Sequence, residues 1–266
     1  MDDWSLPREN LNGRRAEAFR PPAHARARSL AGSLLLAARR LADLQYGSIQ
    51  RDLARLLPAV RGSIADVGCG AQPFRDLLPP SVRYIGTDIA ESEARFGYRV
   101  PDTRYYQGER LPLADREVDH VLCTETLEHV PEPLTLLREL ARIVVPGGRL
   151  ILTVPFAARW HFVPHDYWRF TPSGLDRLLA QAGFRDIRVY PRGGALAVAG
   201  YKALGWVLIM LSGGSGTMPL AARLIGVCAL PLAALAALAG NLGLAYPGSA
   251  EDTLGYTVLA VREDLP

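Results

Sequence analysis

Apolar residues recur at helical spacing twice near the start of the chain. Leu30, Leu34, Leu41 and Leu44 make one stripe, with Arg39 and Arg40 off it; Ile49, Leu53, Leu56 and Leu57 make a second that stops at Pro58. The first is either a basic amphipathic helix on an acidic membrane surface or a cover for the sheet edge with solvated arginines. The period then changes. Ser63–Val67, Arg83–Asp88, Thr103–Tyr106, Val118–Cys123 and Arg149–Val154 read as five parallel strands. Between the last two, Leu134, Leu137, Leu140, Ala141 and Val144 mark a helix from Pro133, and Pro146-Gly147-Gly148 turns the chain. Thr171 before Pro172 predicts an N-cap, and Gly183 ends that helix. Asp186–Tyr190 gives a sixth strand and Thr253–Val261 a seventh. Strands alternating with helices predict an α/β fold with helices on both faces.

Between the last two strands the polarity collapses. Residues 203–250 carry one charge, Arg223, in 48 positions. About 20 apolar residues span a bilayer as a helix. Gly213-Gly214-Ser215-Gly216, Pro219 and Pro231 interrupt the stretch, however, and predict two short helices dipping into one leaflet. The alternative is a helical pair packed on the sheet edge or forming a dimer interface. The predicted organisation is a flexible basic arm (1–28), a main domain (29–192 plus 251–266) and an apolar helical insertion (193–250) that either enters a membrane or packs within the protein.

Composition narrows the class. Cys69, Cys123 and Cys228 lack metal-ligand spacing and suit a reducing compartment. The Met1-Asp2-Asp3-Trp4 start does not read as a secretion signal. These features predict a cytoplasmic protein at the inner face of the membrane. The formal charge of +3 is too small to argue for nucleic acid, although seven arginines lie between Arg14 and Arg40 against the single acid Glu17.

The candidate chemistry begins at Asp66-Val67-Gly68-Cys69-Gly70, where a strand ends in an acid and two glycines, followed by Pro73, where a helix could begin. Such a turn lets backbone approach a nucleotide-like ligand. A dinucleotide fingerprint would place a third glycine where Pro73 stands, and nothing suggests a phosphate loop. An acid, Asp88, ends the second strand 22 residues after Asp66.

Together with Gly86-Thr87-Asp88, Leu111-Pro112-Leu113, Val118-Asp119, Leu127-Glu128-His129-Val130 and Pro146-Gly147-Gly148, the turn resembles the class I S-adenosylmethionine-dependent methyltransferases, in the type 11-like group with a Leu-Glu-His-Val segment. The resemblance covers about residues 45–192 and the final strand. It implies a seven-stranded, mostly parallel Rossmann-like sheet whose last strand is antiparallel, with S-adenosylmethionine as cofactor. It also implies cofactor contacts at Asp66, Gly68, Cys69, Gly70, Asp88, Ile89, Glu109, Arg110, Leu111, Thr124 and Glu125, with Asp88 on the ribose hydroxyls. The chain departs from the family at Gln107-Gly108-Glu109-Arg110, where an aspartate is usual.

A base for the acceptor's proton is sought in the loop after the fifth strand, which carries His161, His165, Asp166, Tyr167 and Arg169. His165 and Asp166 are the candidate bases, with Tyr167 beside them, and Arg169 is a candidate anchor for an anionic group. His129 is a second candidate base or a packing residue. No metal ligand is predicted. The acceptor is a small or lipid- or sugar-linked molecule; a catalytically inactive binding protein of the same fold is the alternative.

Overall fold

The structure is a computed structural model that describes residue 11 and residues 29–212, 219–244 and 251–264. The basic arm, the Gly213–Gly216 interruption and residues 245–250 lie outside the described residues, Leu11 apart. Seven strands form one sheet: β1 (Ser63–Val67), β2 (Arg83–Ile89), β3 (Thr103–Tyr106), β4 (Val118–Thr124), β5 (Val144–Pro155), β6 (Phe184–Pro191) and β7 (Gly255–Arg262). Their order is β3-β2-β1-β4-β5-β7-β6. The first five are parallel, and β7 runs antiparallel to both β5 and β6. The direction of travel across the sheet reverses at β1 and β4, where open α/β sheets place their ligands.

Alternation along the strands divides the core into two layers. Val121, Cys123, Leu150 and Leu152 face α4 (Pro133–Ile143) and α5 (Pro172–Gln181) through Leu137, Leu140, Leu175 and Leu179. Leu122 and Ile151 face the other way, onto Tyr46, Ile49, Leu53 and Leu57 from α2 (Leu44–Leu56) and the turn after it. Each such leucine contributes about 1.5–3 kcal/mol by leaving water. Thr171 caps α5 as its sequence predicts, its Oγ1 accepting from the Gly174 amide at 3.2 Å.

Three expectations change. No α-helix follows Pro73: only a 3-10 turn, Arg75–Leu77, forms before Pro79 and Pro80 stop it. Phe74 instead stacks on Tyr46, so α2 covers this face of the sheet. Pro146-Gly147-Gly148 is not a free turn. β5 starts at Val144 and absorbs these residues opposite an irregularity in its pairing with β4. Finally, Pro231 does not cut the apolar segment. It lies inside one continuous helix, α7 (Leu220–Gly243), paired with α6 (Ala195–Ser212). Pro231 is on the exposed side, away from α6, so the contacts that hold the helix pair continue past the lost hydrogen bond. Both helices are long and apolar enough to cross a membrane.

Small residues bring the two helices against each other and onto the rest of the chain. Gly200 packs on the backbone of Ala236, and Gly240 lies against Leu44 and Ala197. Asn241 donates to the Leu41 carbonyl at 2.8 Å, tying α7 to α1 (Leu30–Ala42). A Cβ on Gly200 would collide with the Ala236 carbonyl. Gly200→Val is therefore expected to lower stability by about 1–3 kcal/mol, read as a shift of the urea midpoint with an unchanged slope.

Candidate active site

The β1 turn is built from residues that leave little choice of conformation. Gly68 has φ +70°, and a Cβ there would meet the Thr126 side chain. The Gly68 and Cys69 amides both donate to the Thr87 carbonyl, at 2.9 and 3.1 Å. Asp88 closes the turn from β2: its Oδ2 accepts from the Gly70 amide at 3.0 Å and its Oδ1 from the Ile89 amide at 2.8 Å. Burial raises the Asp88 carboxyl to about 6, against these two amides, which favour the charged form.

A cavity of about 690 Å³ opens over this edge. Gly68, Cys69, Gly70, Asp88, Ile89, Glu109, Thr124 and Glu125, all implied as cofactor contacts, line it. Three others do not. Asp66 is 1% exposed and takes a 2.8 Å hydrogen bond from the Tyr84 hydroxyl, so it braces the strands from behind. Burial raises its carboxyl to about 7. Arg110 points to solvent near Asp115. Leu111 is buried in the core, and its amide donates to Glu139 at 2.9 Å.

The carboxylate lone pairs of Asp88 not used by amides suit a pair of vicinal hydroxyls. The glycine turn supplies the close backbone approach, and Tyr98 and Tyr106 add aromatic walls. This donor set fits the adenosyl and methionyl parts of S-adenosylmethionine.

The loop after β5 differs from its sequence reading. His165, Asp166, Tyr167 and Arg169 do not line the cavity. Arg169 grips Asp166 through both nitrogens, at 2.6 and 2.7 Å. Burial pushes the Asp166 carboxyl up, but hydrogen bonds from Arg169 and His161 outweigh it and hold the group well below the usual range. Asp166 is therefore neither a base nor free to be one, and Arg169 is not an open anion anchor. The Tyr167 amide donates to the Glu128 carbonyl, while its side chain faces solvent. His165 contributes its carbonyl, which receives His129 Nδ1 at 2.6 Å.

The histidines that do reach the cavity are His129 and His161. A carbonyl only accepts, so His129 carries its proton on Nδ1 and leaves Nε2 with a free lone pair. His161 Nδ1 lies 2.9 Å from the Arg159 carbonyl and 3.0 Å from Asp166 Oδ2, which fixes the same tautomer. Burial, then the neighbouring His161, depresses His129 to about 4, so its ring is neutral at pH 7. The two rings meet edge to face, 4.9 Å between centroids. Phe96, at the end of the short helix α3 (Ser92–Phe96), and Phe162 close over them.

Sequence reasoning missed the rest of the wall. Arg39, Gln45 and Tyr46 come from α1 and α2, and Tyr201, Leu204 and Leu208 from α6. It also missed Arg192, which is 2% exposed and donates to Glu125 at 2.8 Å and to the Val154 carbonyl at 2.9 Å. An arginine at a strand end beside Gly193-Gly194 was its sole signal.

Residues 65–152 match the family described as "Methyltransferase domain". A ubiquinone biosynthesis O-methyltransferase of Ruegeria pomeroyi is 31% identical over 172 residues, covering 53% of this chain and 67% of that protein. An uncharacterized methyltransferase of Mycobacteroides abscessus is 34% identical over 127 residues, or 41% and 49% of the two chains. The chain thus spans about half the length of several curated relatives it matches. A solved Thermotoga maritima structure, described as a SAM-dependent methyltransferase and possible histamine N-methyltransferase, superposes with TM-score 0.50 at 18% identity. It covers 87% of this chain and 97% of that one, and shares the fold. With the glycine turn, the Asp88 clamp and this strand order in hand, the chain belongs to the class I S-adenosylmethionine-dependent methyltransferases.

Proposed function

We propose that the chain transfers a methyl group from S-adenosylmethionine to a small or lipid- or sugar-linked acceptor at the cytoplasmic surface of a membrane. The observation that carries the reading is one cavity lined both by the Gly68–Gly70 turn and Asp88 and by the histidine pair and α6. When bound, the cofactor supplies a methyl carbon already activated by a positive sulfur, so the protein's work is alignment and water exclusion. Asp88 grips the ribose hydroxyls, the Gly68 and Gly70 backbone passes close to the methionyl end, and Glu109 borders the adenine end. Phe96, Phe162 and Leu204 keep the acceptor side dry, and the Nε2 lone pairs of His129 and His161 receive a proton released by the acceptor.

The membrane part of the reading rests on an apolar surface that nothing covers among the described residues. Leu220, Leu224, Leu232, Leu235 and Leu242 of α7 and Trp206 of α6 are exposed, Leu232 by 72%. Leu30, Leu34 and Leu41 of α1 are exposed beside Arg39 and Arg40 in the sequence, and more arginines precede them. A bilayer with anionic headgroups matches both the apolar face and the arginines.

Three measurements test this. Asp88→Ala is expected to weaken S-adenosylmethionine binding by about 1.5–3 kcal/mol in calorimetric titration; unchanged affinity removes the ribose role. Wild-type affinity is expected to fall as pH drops through about 6, because a proton on Asp88 takes the lone pair that a ribose hydroxyl needs; a flat profile between pH 5 and 8 argues otherwise. Leu232→Glu with Leu235→Glu is expected to abolish flotation with anionic phospholipid vesicles while leaving cofactor affinity intact. If the charged variant instead turns a dimer into a monomer and wild type never floats, the face is a subunit interface.

A further inference from the structure

Among the described residues, Glu128 is a buried acid, 0% exposed, with both carboxylate oxygens lacking a hydrogen-bond partner. An ionised carboxylate buried without donors or a counter-ion is costly by several kcal/mol. His129 Nε2 lies 3.7 Å from its Oε1. That nitrogen bears no proton, since Nδ1 holds it against the His165 carbonyl. The cation nearby, Arg169, is spent on Asp166. Glu125, three residues earlier, is a second carboxylate, and it is paired with Arg192.

His161 completes a set. One ligand-type atom from each of Glu128, His129 and His161 lies within 4.8 Å of the others. Lone pairs brought this close are mutually repulsive unless a proton or a cation sits between them. The surroundings of the two rings are those of metal-bound imidazoles, each donating its far N–H to a carboxylate or a backbone carbonyl. For His161 these are Asp166 and the Arg159 carbonyl; for His129 it is the His165 carbonyl. The Asp166–Arg169 pair thereby acquires a purpose, as the brace that fixes the His161 ring.

We propose that Glu128, His129 and His161 form a binding site for a divalent transition-metal ion at the acceptor end of the cavity. Two imidazoles and a carboxylate suit Zn²⁺, Mn²⁺ or Fe²⁺. Because His129 and His161 also line the cavity, the ion has an open position on that side for an oxygen or nitrogen of the acceptor. The site rests on these side chains alone and does not require the methyl-transfer reading. An ion there would occupy the lone pairs assigned above to proton transfer, so its presence decides how those nitrogens act.

The test uses the full chain, stripped with a chelator and titrated with ZnCl₂ in a non-coordinating buffer without S-adenosylmethionine. One ion per chain is expected, at micromolar affinity or tighter. His161→Ala and Glu128→Gln should each weaken binding at least tenfold, Asp166→Asn should weaken it about tenfold through the ring it holds, and Cys228→Ser should leave it unchanged. Should Glu128→Gln fail to fold, His161→Ala carries the test, its fold checked by circular dichroism and by S-adenosylmethionine titration. Absence of saturable binding, binding that survives His161→Ala, or binding lost with Cys228→Ser overturns the site. Cofactor binding without zinc binding overturns this inference alone; zinc binding without cofactor binding overturns the function proposed above and leaves the metal site standing.

Discussion

One buried carboxylate organises the carboxyl edge of this sheet. Asp88 accepts from its own chain at Ile89 and from the Gly70 amide across the β1–β2 gap. A buried anion survives only with such donors, so the turn and the strand end must come together for either to be stable. Around this pair the constraints are steric. Thr126 occupies the volume a side chain at position 68 would need, and the Thr87 carbonyl holds the Gly68 and Cys69 amides. The turn is thus shaped before any ligand arrives, so binding spends little on ordering it.

The short turn after Phe74 has consequences far from β1. With no helix there, α2 lies over Ile64, Leu122 and Ile151, and its first residues and the end of α1 reach the cavity. The same α1–α2 corner receives α7 through Asn241 and α6 through Leu44. The apolar pair is therefore not an ornament at the end of the chain. It is fastened to the elements that wall the site.

Most of the sheet is legible in the sequence because its signals are local: short apolar runs, the glycine turn after the first strand, and Thr171-Pro172 opening a helix. Asp88 is legible for the same reason, through its place at a strand end. What eludes sequence reasoning is pairing across distance. The string His165-Asp166-Tyr167-Trp168-Arg169 looks rich in free polar groups, yet Arg169 and Asp166 neutralise one another three residues apart, and only the path of the loop reveals it. His161 and His129 are 32 residues apart, and no spacing rule unites them with Glu128. Pro231 misleads for a different reason: the rule that proline ends helices weighs one lost backbone hydrogen bond and a steric clash, whereas here the contacts on the packed side of the helix outweigh them.

Tyr201, Leu204 and Leu208 of α6 form cavity wall on one side of the helix, and Trp206 stands exposed on another. A single helix thus separates the dry end of the site from the surface proposed to meet lipid. For an acceptor with an apolar tail this geometry matters, because the tail could remain in the hydrocarbon while its polar head passes α6 to the histidines. The free-energy cost of extracting about 0.8 kcal/mol per buried methylene would then be avoided. Without a membrane or a second subunit to cover them, the exposed leucines of α7 would be a standing aggregation risk. On the function proposed above, the acceptor's tail therefore stays in the hydrocarbon while its head reacts.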